Sequence, residues 1–295
     1  MEQKQYDLVG IGSAIVDILS YKPEEFLEKN QLPVGSMTLI DLKQANSLYK
    51  QLGAATECSG GSCANSISAY ALLGGNAAFI GKTKQDYLGK VFKEEIEKVG
   101  VDLITNSTQS GVSTSKCIIL VTEEELSNGK RRVERTMATY LDFDVTITPE
   151  DIDENVIKQA KLIFFEGYLF DGAQSKKAVE KAIDIAKRNN TKIAFTLSDE
   201  DLRKIMHLLV DMNCTFCVTK GENGSMIFDG GSVYNIDPFK VEDVYDVTGA
   251  GDLYAAGVLF GLANNYSIPD SGKIGSYCAA EVIKDIGARP FPFAA

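Results

Sequence analysis

The chain has 295 residues, 44% of them hydrophobic and 24% charged, the balance of an ordinary globular protein long enough to bury a large core. Its 41 acidic against 30 basic residues give a net charge of −11, which argues against non-specific binding to nucleic acid or an anionic membrane, since both attract basic surfaces. No apolar stretch approaches the roughly 20 residues of a transmembrane helix. The opening MEQKQYDLVGIG has no signal-peptide core, so a cytoplasmic location with six reduced cysteines is expected. The Asn-x-Thr triplets at Asn106, Asn189 and Asn213 then carry no meaning as glycosylation sites.

Strand and helix patterns alternate along the chain. Residues 8–11 read as a first strand, 42–52 and 64–73 as helices, 77–80 as a short buried strand, and 88–99 as an amphipathic helix stopped by Gly100. Residues 117–121 and 132–137 read as two strands joined by a turn with Asn128-Gly129. Thr148-Pro149-Glu150-Asp151 has the cap and first-turn proline of a helix start. Then come a strand at 162–165, a helix at 176–188, a strand at 192–197, a helix at 201–210 and a strand at 214–219. A hairpin follows over 225–228 and 232–236, and helices at 253–263 and 273–286 close the chain. This alternation predicts an α/β fold, a mainly parallel central sheet covered on both faces. Residues 16–40 and 114–139 carry β-type residues without a crossover helix, and are expected to form a small side sheet attached to a single core.

Several motifs fail on spacing. Gly10-Ile11-Gly12 opens like a dinucleotide fingerprint, but its third glycine would fall at Ile15. Gly81-Lys82-Thr83 ends like a phosphate-binding loop, but the upstream glycine position holds Asn76. Cys214 and Cys217 form a C-x-x-C inside an apolar strand pattern, away from any helix start and with a single histidine, His207, in the chain. They read as buried structural thiols rather than a redox pair or half a zinc site.

Three features carry chemistry. Asp17 follows the first strand in an apolar setting, where a carboxylate either caps a turn or accepts hydrogen bonds from sugar hydroxyls. Gly60-Gly61 runs into a helix on which Asn65 is a polar residue among small ones, a pattern that favours a ligand contact. The strongest is Asp246-Val247-Thr248-Gly249-Ala250-Gly251-Asp252. Amides of Gly249, Ala250 and Gly251 at a helix N-terminus make an anion site, and Asp252 beside it can serve as a base. That pairing suits phosphoryl transfer.

These residues bring a family into view. Gly60-Gly61 with Asn65, then Leu73-Gly74, Ile80-Gly81-Lys82, Asp86 and Gly89, resembles the first signature of the ribokinase-like (phosphofructokinase-B type) kinases, and Asp246 to Asp252 with Gly257 resembles the second. The resemblance runs from about Tyr6 to Pro290. It implies one domain over residues 1–295, a three-layer α/β/α sandwich with a small β-sheet lid from about 13–40 and 111–140. It implies ATP and Mg²⁺ and phosphorylation of a hydroxymethyl group; no residue of this sequence is singled out as a metal ligand. Asp252 is similar to the catalytic base, with Gly249, Ala250 and Gly251 as the anion hole. Ser13, Asp17, Gly61 and Asn65 match substrate-binding positions, and Arg135 either reaches the transferred phosphate or is a solvated strand residue. Thr219, Gly221 and Gly224, with Thr248, match the nucleotide-binding stretch. Gly10 to Asp17, Gly35 to Leu39, Arg135 to Leu141 and Glu166 to Leu169 most resemble adenosine kinases and their bacterial relatives. Phe170, Tyr168, Met37 and Leu39 are candidates for a slot around a nucleobase.

One departure stands out. The family carries a further strand and helix with an Asn-x-x-Glu motif, linked to Mg²⁺ and phosphate, after the segment resembling Leu197-Ser198-Asp199; here Glu200 follows at once. Either residues are absent from the sequence at this point, which would break the chain near Asp199–Glu200 and is the expected case, or the motif is lost. The rival functions are a kinase for a free sugar such as ribose or fructose, and a non-catalytic nucleoside- or sugar-binding protein. The expected partner is a small nucleoside or sugar, with the chain a monomer or homodimer.

Overall fold

A computed structural model describes residues 5–125, 131–196, 214–242, 244–284 and 287–288. The expected helix at 201–210, His207, the Asn128-Gly129 turn and the Asp199–Glu200 junction lie outside the described residues.

The centre is an eight-stranded sheet. Its strands are β1 (Tyr6–Ile11), β5 (Ala77–Ile80), β6 (Val101–Leu103), β9 (Ala160–Glu166), β10 (Lys192–Thr196), β11 (Thr215–Thr219), β12 (Ser225–Asp229) and β13 (Ser232–Ile236). They lie in the order β13-β12-β11-β10-β9-β1-β5-β6. All neighbours from β11 to β6 are parallel, and the β12–β13 hairpin adds two antiparallel strands at one edge. β1 is the switch point: the chain builds outward to β5 and β6 on one side and later to β9, β10 and β11 on the other. Crevices at such points, outside the carboxyl ends of the strands, are where open α/β sheets bind ligands.

Runs such as Leu162 to Phe165 are buried on both faces. On one face Val9, Ile11, Ile163 and Phe165 pack under α6 (Ala173–Arg188), whose inward stripe is Ala178, Val179, Ala182, Ile183 and Ala186. On the other face Leu8, Leu162 and Phe164 meet α3 (Ser62–Leu72) and α7 (Ala250–Ala263), the latter packed on α8 (Ile268–Val282). Gly10 marks the crossing of α3, since a Cβ there would lie 2.3 Å from Cγ1 of Ile67.

The second sheet is five-stranded, in the order β3-β8-β7-β2-β4, from β2 (Ile15–Tyr21), β3 (Met37–Leu39), β4 (Thr56–Gly60), β7 (Ser115–Glu125) and β8 (Arg131–Tyr140). Val16, Ile18, Ile118, Leu120 and Ala138 turn into the core with Leu27 of α1 (Glu24–Lys29) and Leu48 of α2 (Leu42–Gln51). The opposite face carries Ile15, Leu19, Cys117, Ile119, Val121, Val133 and Met137. Asp86 anchors this sheet: it caps α4 (Tyr87–Lys98) through the Gly89 amide and accepts from both the amide and the hydroxyl of Thr114, just before β7. Asp86 and Gly89 are therefore accounted for by structure, Gly89 because a Cβ would lie 2.0 Å from the Lys84 carbonyl.

Three expectations are corrected. Pro149–Asp151 is a single 3₁₀ turn, because Ile152 is extended and buried, and the helix restarts from an Asp153 cap as α5 (Glu154–Lys158). The last helix runs Ile268–Val282, starting earlier and ending earlier than 273–286. Cys214 precedes β11 rather than opening it. Lys82, the lysine of the failed phosphate-loop pattern, is held in an ion pair by Asp151. Burial raises the thiols of Cys214 and Cys217 to about 11 and about 12, so neither is a thiolate near neutrality. Among the described residues no helix is long and apolar enough to cross a membrane.

Candidate active site

Two helices begin without a side-chain cap and after a glycine of positive φ. α3 starts after Gly61 (φ +96°) and α7 after Gly249 (φ +77°). Both glycines are demanded by their surroundings as well as by φ. A Cβ at Gly61 would lie 2.6 Å from the Ser13 carbonyl oxygen, and one at Gly249 would lie 2.5 Å from Cα of Ala288. Uncapped N-termini leave amides free for an anionic partner.

The two starts meet at Asp252. Its Oδ1 accepts from Oγ of Ser62 at 2.7 Å and its Oδ2 from Nδ2 of Asn65 at 3.0 Å. Asn65 is buried, so the residue expected to face a sugar hydroxyl is here a donor to the carboxylate. The two hydrogen bonds orient Asp252, the acidic residue in the first turn of α7. Of the expected anion-hole amides, that of Ala250 donates to the Val247 carbonyl at 3.2 Å. Among the described residues, no atom outside the helix's own backbone and the chain neighbours lies within 4 Å of the position a Gly251 Cβ would take, so space opens in front of that residue.

Glu166 underlies this arrangement. It ends β9 and is 1% exposed. One carboxylate oxygen accepts from the Ser13 amide at 2.6 Å and the other from the Cys63 amide at 2.9 Å. Burial pushes its carboxyl up, the two amides pull it down, and the charge of Asp252 pushes it up further. Gly12 leaves room for it, since a Cβ there would come within 3.1 Å of Oε2. Glu166 thereby fixes the β1–β2 turn and the start of α3 against the sheet. Sequence reasoning gave neither Glu166 nor Ser62 a role in the site. An ionisable residue closing an otherwise apolar strand was the available signal for Glu166; Ser62 carried none until α7 was placed beside it.

Asp17 lies on the face of the second sheet that also carries Ile15 and Leu19, in a cross-strand row with Cys58, Cys117, Thr139 and Leu39. Its carboxylate leans over β4, because a Cβ at Gly60 would fall 2.2 Å from its Cγ. Met37 and Leu39 are exposed on the edge strand. Phe170 does not join them: it packs on Phe195 under α6, with ring centroids 6.2 Å apart. Tyr168 is exposed. Arg135 is neither solvated nor open to an anion. Its guanidinium is buried, 2.7 Å from Asp246 at the head of the anion loop.

Thr219 and Gly251 line one cavity of about 40 Å³ with Cys217 and Tyr254. It has room for water and not for a nucleotide, but it puts the end of β11 beside the start of α7. Gly224 (φ +78°) is required by the turn after β11, where a Cβ would meet the Ile236 carbonyl at 2.2 Å; Gly221 faces open space. The Thr248 amide donates to Asp246.

Removing the Ser62 hydroxyl tests the orientation of Asp252. Ser62→Ala is expected to lower turnover roughly tenfold, the loss of about 1.5 kcal/mol from a hydrogen bond to a charged group. The ATP KM should stay within about twofold, because Ser62 contacts Asp252 and not the amides of Gly249 to Gly251. Steady-state kinetics of the variant check both.

Comparison with known proteins follows this geometry. The sequence model of pfkB family carbohydrate kinases matches residues 31–215 and 196–293, the second stretch opening where the chain departs from the expected strand–helix unit. A 5-dehydro-2-deoxygluconokinase of Geobacillus kaustophilus is 26% identical over 313 residues, covering 89% of this chain and 88% of that protein. The same enzyme of Clostridium beijerinckii is 27% identical, covering 95% and 88%. Among solved structures, a probable sugar kinase from Rhizobium etli superposes with TM-score 0.83 at 33% identity, covering 98% of this chain and 96% of the other. Adenosine kinase from Sinorhizobium meliloti gives 0.82 at 34%, covering 97% and 96%.

Proposed function

Because the chain belongs to the pfkB family of carbohydrate kinases, we propose that this phosphotransferase moves the γ-phosphoryl group of ATP to the 5′-hydroxymethyl of a nucleoside, with adenosine as its acceptor. The observation that carries the mechanism is the Asp252 carboxylate, held by Ser62 and Asn65 beside the open N-terminus of α7. In this reading the second sheet, about residues 13–40 and 111–140, is the lid of a single domain. The acceptor lies between it and the carboxyl edge of the main sheet.

Asp252 takes the proton of the acceptor hydroxyl as that oxygen attacks the γ-phosphorus. The amides at Gly249 to Gly251 carry charge developing on the phosphoryl oxygens, with Ala250 contributing once its amide turns from Val247. Ser13, Asp17 and Gly61 border the acceptor. Thr219, Gly221, Gly224 and Thr248 border the nucleotide. Among the described residues no three His, Cys, Asp or Glu side chains gather as a metal cage. Mg²⁺ bound together with ATP would neutralise phosphate charge.

The acceptor class follows from the second sheet. Asp17 offers one carboxylate to hydroxyls, flanked by Leu19, Ile119, Met137, Met37 and Leu39, an apolar strip suited to a base. An anionic sugar acid needs a cation here. Among the described side chains of this face the cation is Arg135, and Asp246 engages it. The 34% identity to the Sinorhizobium adenosine kinase supports the same choice. The names of the Geobacillus and Clostridium relatives favour the sugar acid as the second reading.

An acceptor panel separates these readings. ADP release with Mg²⁺ is measured for adenosine, other nucleosides, ribose, fructose and 5-dehydro-2-deoxygluconate. The expected outcome is highest kcat/KM with adenosine. Preference for the sugar acid would overturn the nucleoside assignment and keep the catalytic one.

A further inference from the structure

The ion pair between the second sheet and the anion loop has a geometry that a simple structural strut does not explain. Arg135 Nη2 lies 2.7 Å from Asp246 Oδ2, and both side chains are 6% exposed. The contact is close without hydrogen-bond alignment, and Arg135 Nε is buried with no hydrogen-bond partner among the described residues. Burying a guanidinium so incompletely paired is costly, and a permanent strut would saturate its donors. Asp246, by contrast, is fully used. Its Oδ1 accepts from the Thr248 amide at 3.0 Å, and its Oδ2 accepts from the Gly287 amide at 3.0 Å as well as facing Arg135. The neighbour of Gly287, Ala288, is the residue against which Gly249 packs. One carboxylate thus joins β8 of the second sheet, the loop that leads into α7, and the segment that buttresses the first glycine of that loop.

We propose that Asp246 is a positioning residue that ties the shape of the anion loop to the seating of the second sheet through Arg135. The inference rests on the kinase reading above. While the sheet is seated, Arg135 neutralises Asp246 and the loop from Thr248 to Gly251 keeps all its tethers, so that only the Ala250 amide has to turn from Val247 when a phosphoryl group arrives. When the sheet moves away, both charges regain water, the pair is lost and the loop loses one of its three tethers. Phosphoryl transfer is then strong only with an acceptor enclosed beneath the sheet, and water is disfavoured as an acceptor. Neither residue needs to touch the acceptor or ATP for this.

The test compares ADP formed with phosphorylated acceptor formed, in wild type, Asp246→Asn, Arg135→Gln and the double variant. Wild type should give a ratio near one. Each single variant should raise the ratio and lower transfer roughly tenfold, and the double variant should match the singles, because they remove one shared interaction. A residue that only stabilises the fold would lower the melting temperature and leave the ratio at one. That result would overturn the proposal, as would single effects that multiply in the double variant. Should Arg135→Gln fail to fold, Arg135→Lys keeps the charge but not the fork and is expected to raise the ratio less. Full transfer by Asp246→Asn would assign Arg135 a role independent of Asp246 and defeat the coupling. Absence of transfer by wild type with every acceptor would instead remove the kinase reading, and this inference with it.

Discussion

Asp252→Asn is expected to lower turnover by about 10²–10⁴, the usual worth of general-base help, while ATP affinity stays within a few fold. The argument starts from the two donors on the carboxylate. Ser62 and Asn65 each donate to one oxygen of Asp252 and so orient the carboxylate beside the start of α7. An asparagine keeps the size and can still accept from one of the two donors. It presents an NH₂ to the other and cannot take a proton. The fold should therefore survive and the chemistry should not. Turnover of the purified variant at saturating acceptor and ATP, with its melting temperature as control, checks both halves. Normal turnover would remove Asp252 as base.

Gly249→Ala is expected to be nearly as damaging by a different route. At φ +77° an L-residue carries a penalty of about 1–2 kcal/mol. The new Cβ would also approach the backbone of Ala288 to 2.5–3.0 Å, which a side-chain rotation cannot relieve. The loop has to move, and misplacing one anion-hole donor costs about 10²-fold in turnover. Gly251→Ala is the informative contrast. Among the described residues its Cβ meets no atom outside the local backbone within 4 Å, so stability should change by less than about 0.5 kcal/mol. Its methyl group would enter the space assigned to phosphate and raise the ATP KM. Equal effects on stability in the two variants would contradict this assignment of the space before Gly251.

The parts of the fold that were legible from sequence are those where burial and periodicity agree. The run Leu162 to Phe165 can only be an interior strand, and Ala178, Val179, Ala182 and Ala186 can only be one face of a helix. The second sheet was readable as β-type composition but not as topology. Its parallel β2–β7 and β3–β8 pairings join strands separated by many residues, and no local pattern encodes them. The Pro149 turn misled because its first three residues do cap and start; the stop comes from Ile152, which is pulled into the core. The site followed the same division. Gly249, Gly251 and Asp252 announce themselves by spacing. The use of Asn65 as a donor to Asp252, the Glu166 clamp and the Arg135–Asp246 pair join residues 187, 153 and 111 positions apart, and only the folded sheet brings them together. Phe170 shows the opposite error: an aromatic near the site in sequence, turned to the other face by its place after β9.

The most direct measurement is transfer of a labelled γ-phosphoryl group from ATP, with Mg²⁺, by the wild-type chain offered adenosine. The account predicts that label appears on the 5′-oxygen of adenosine in step with ADP. Measurable binding of adenosine or a sugar with no label on any acceptor would contradict it, and would leave a protein that recognises such molecules without phosphorylating them.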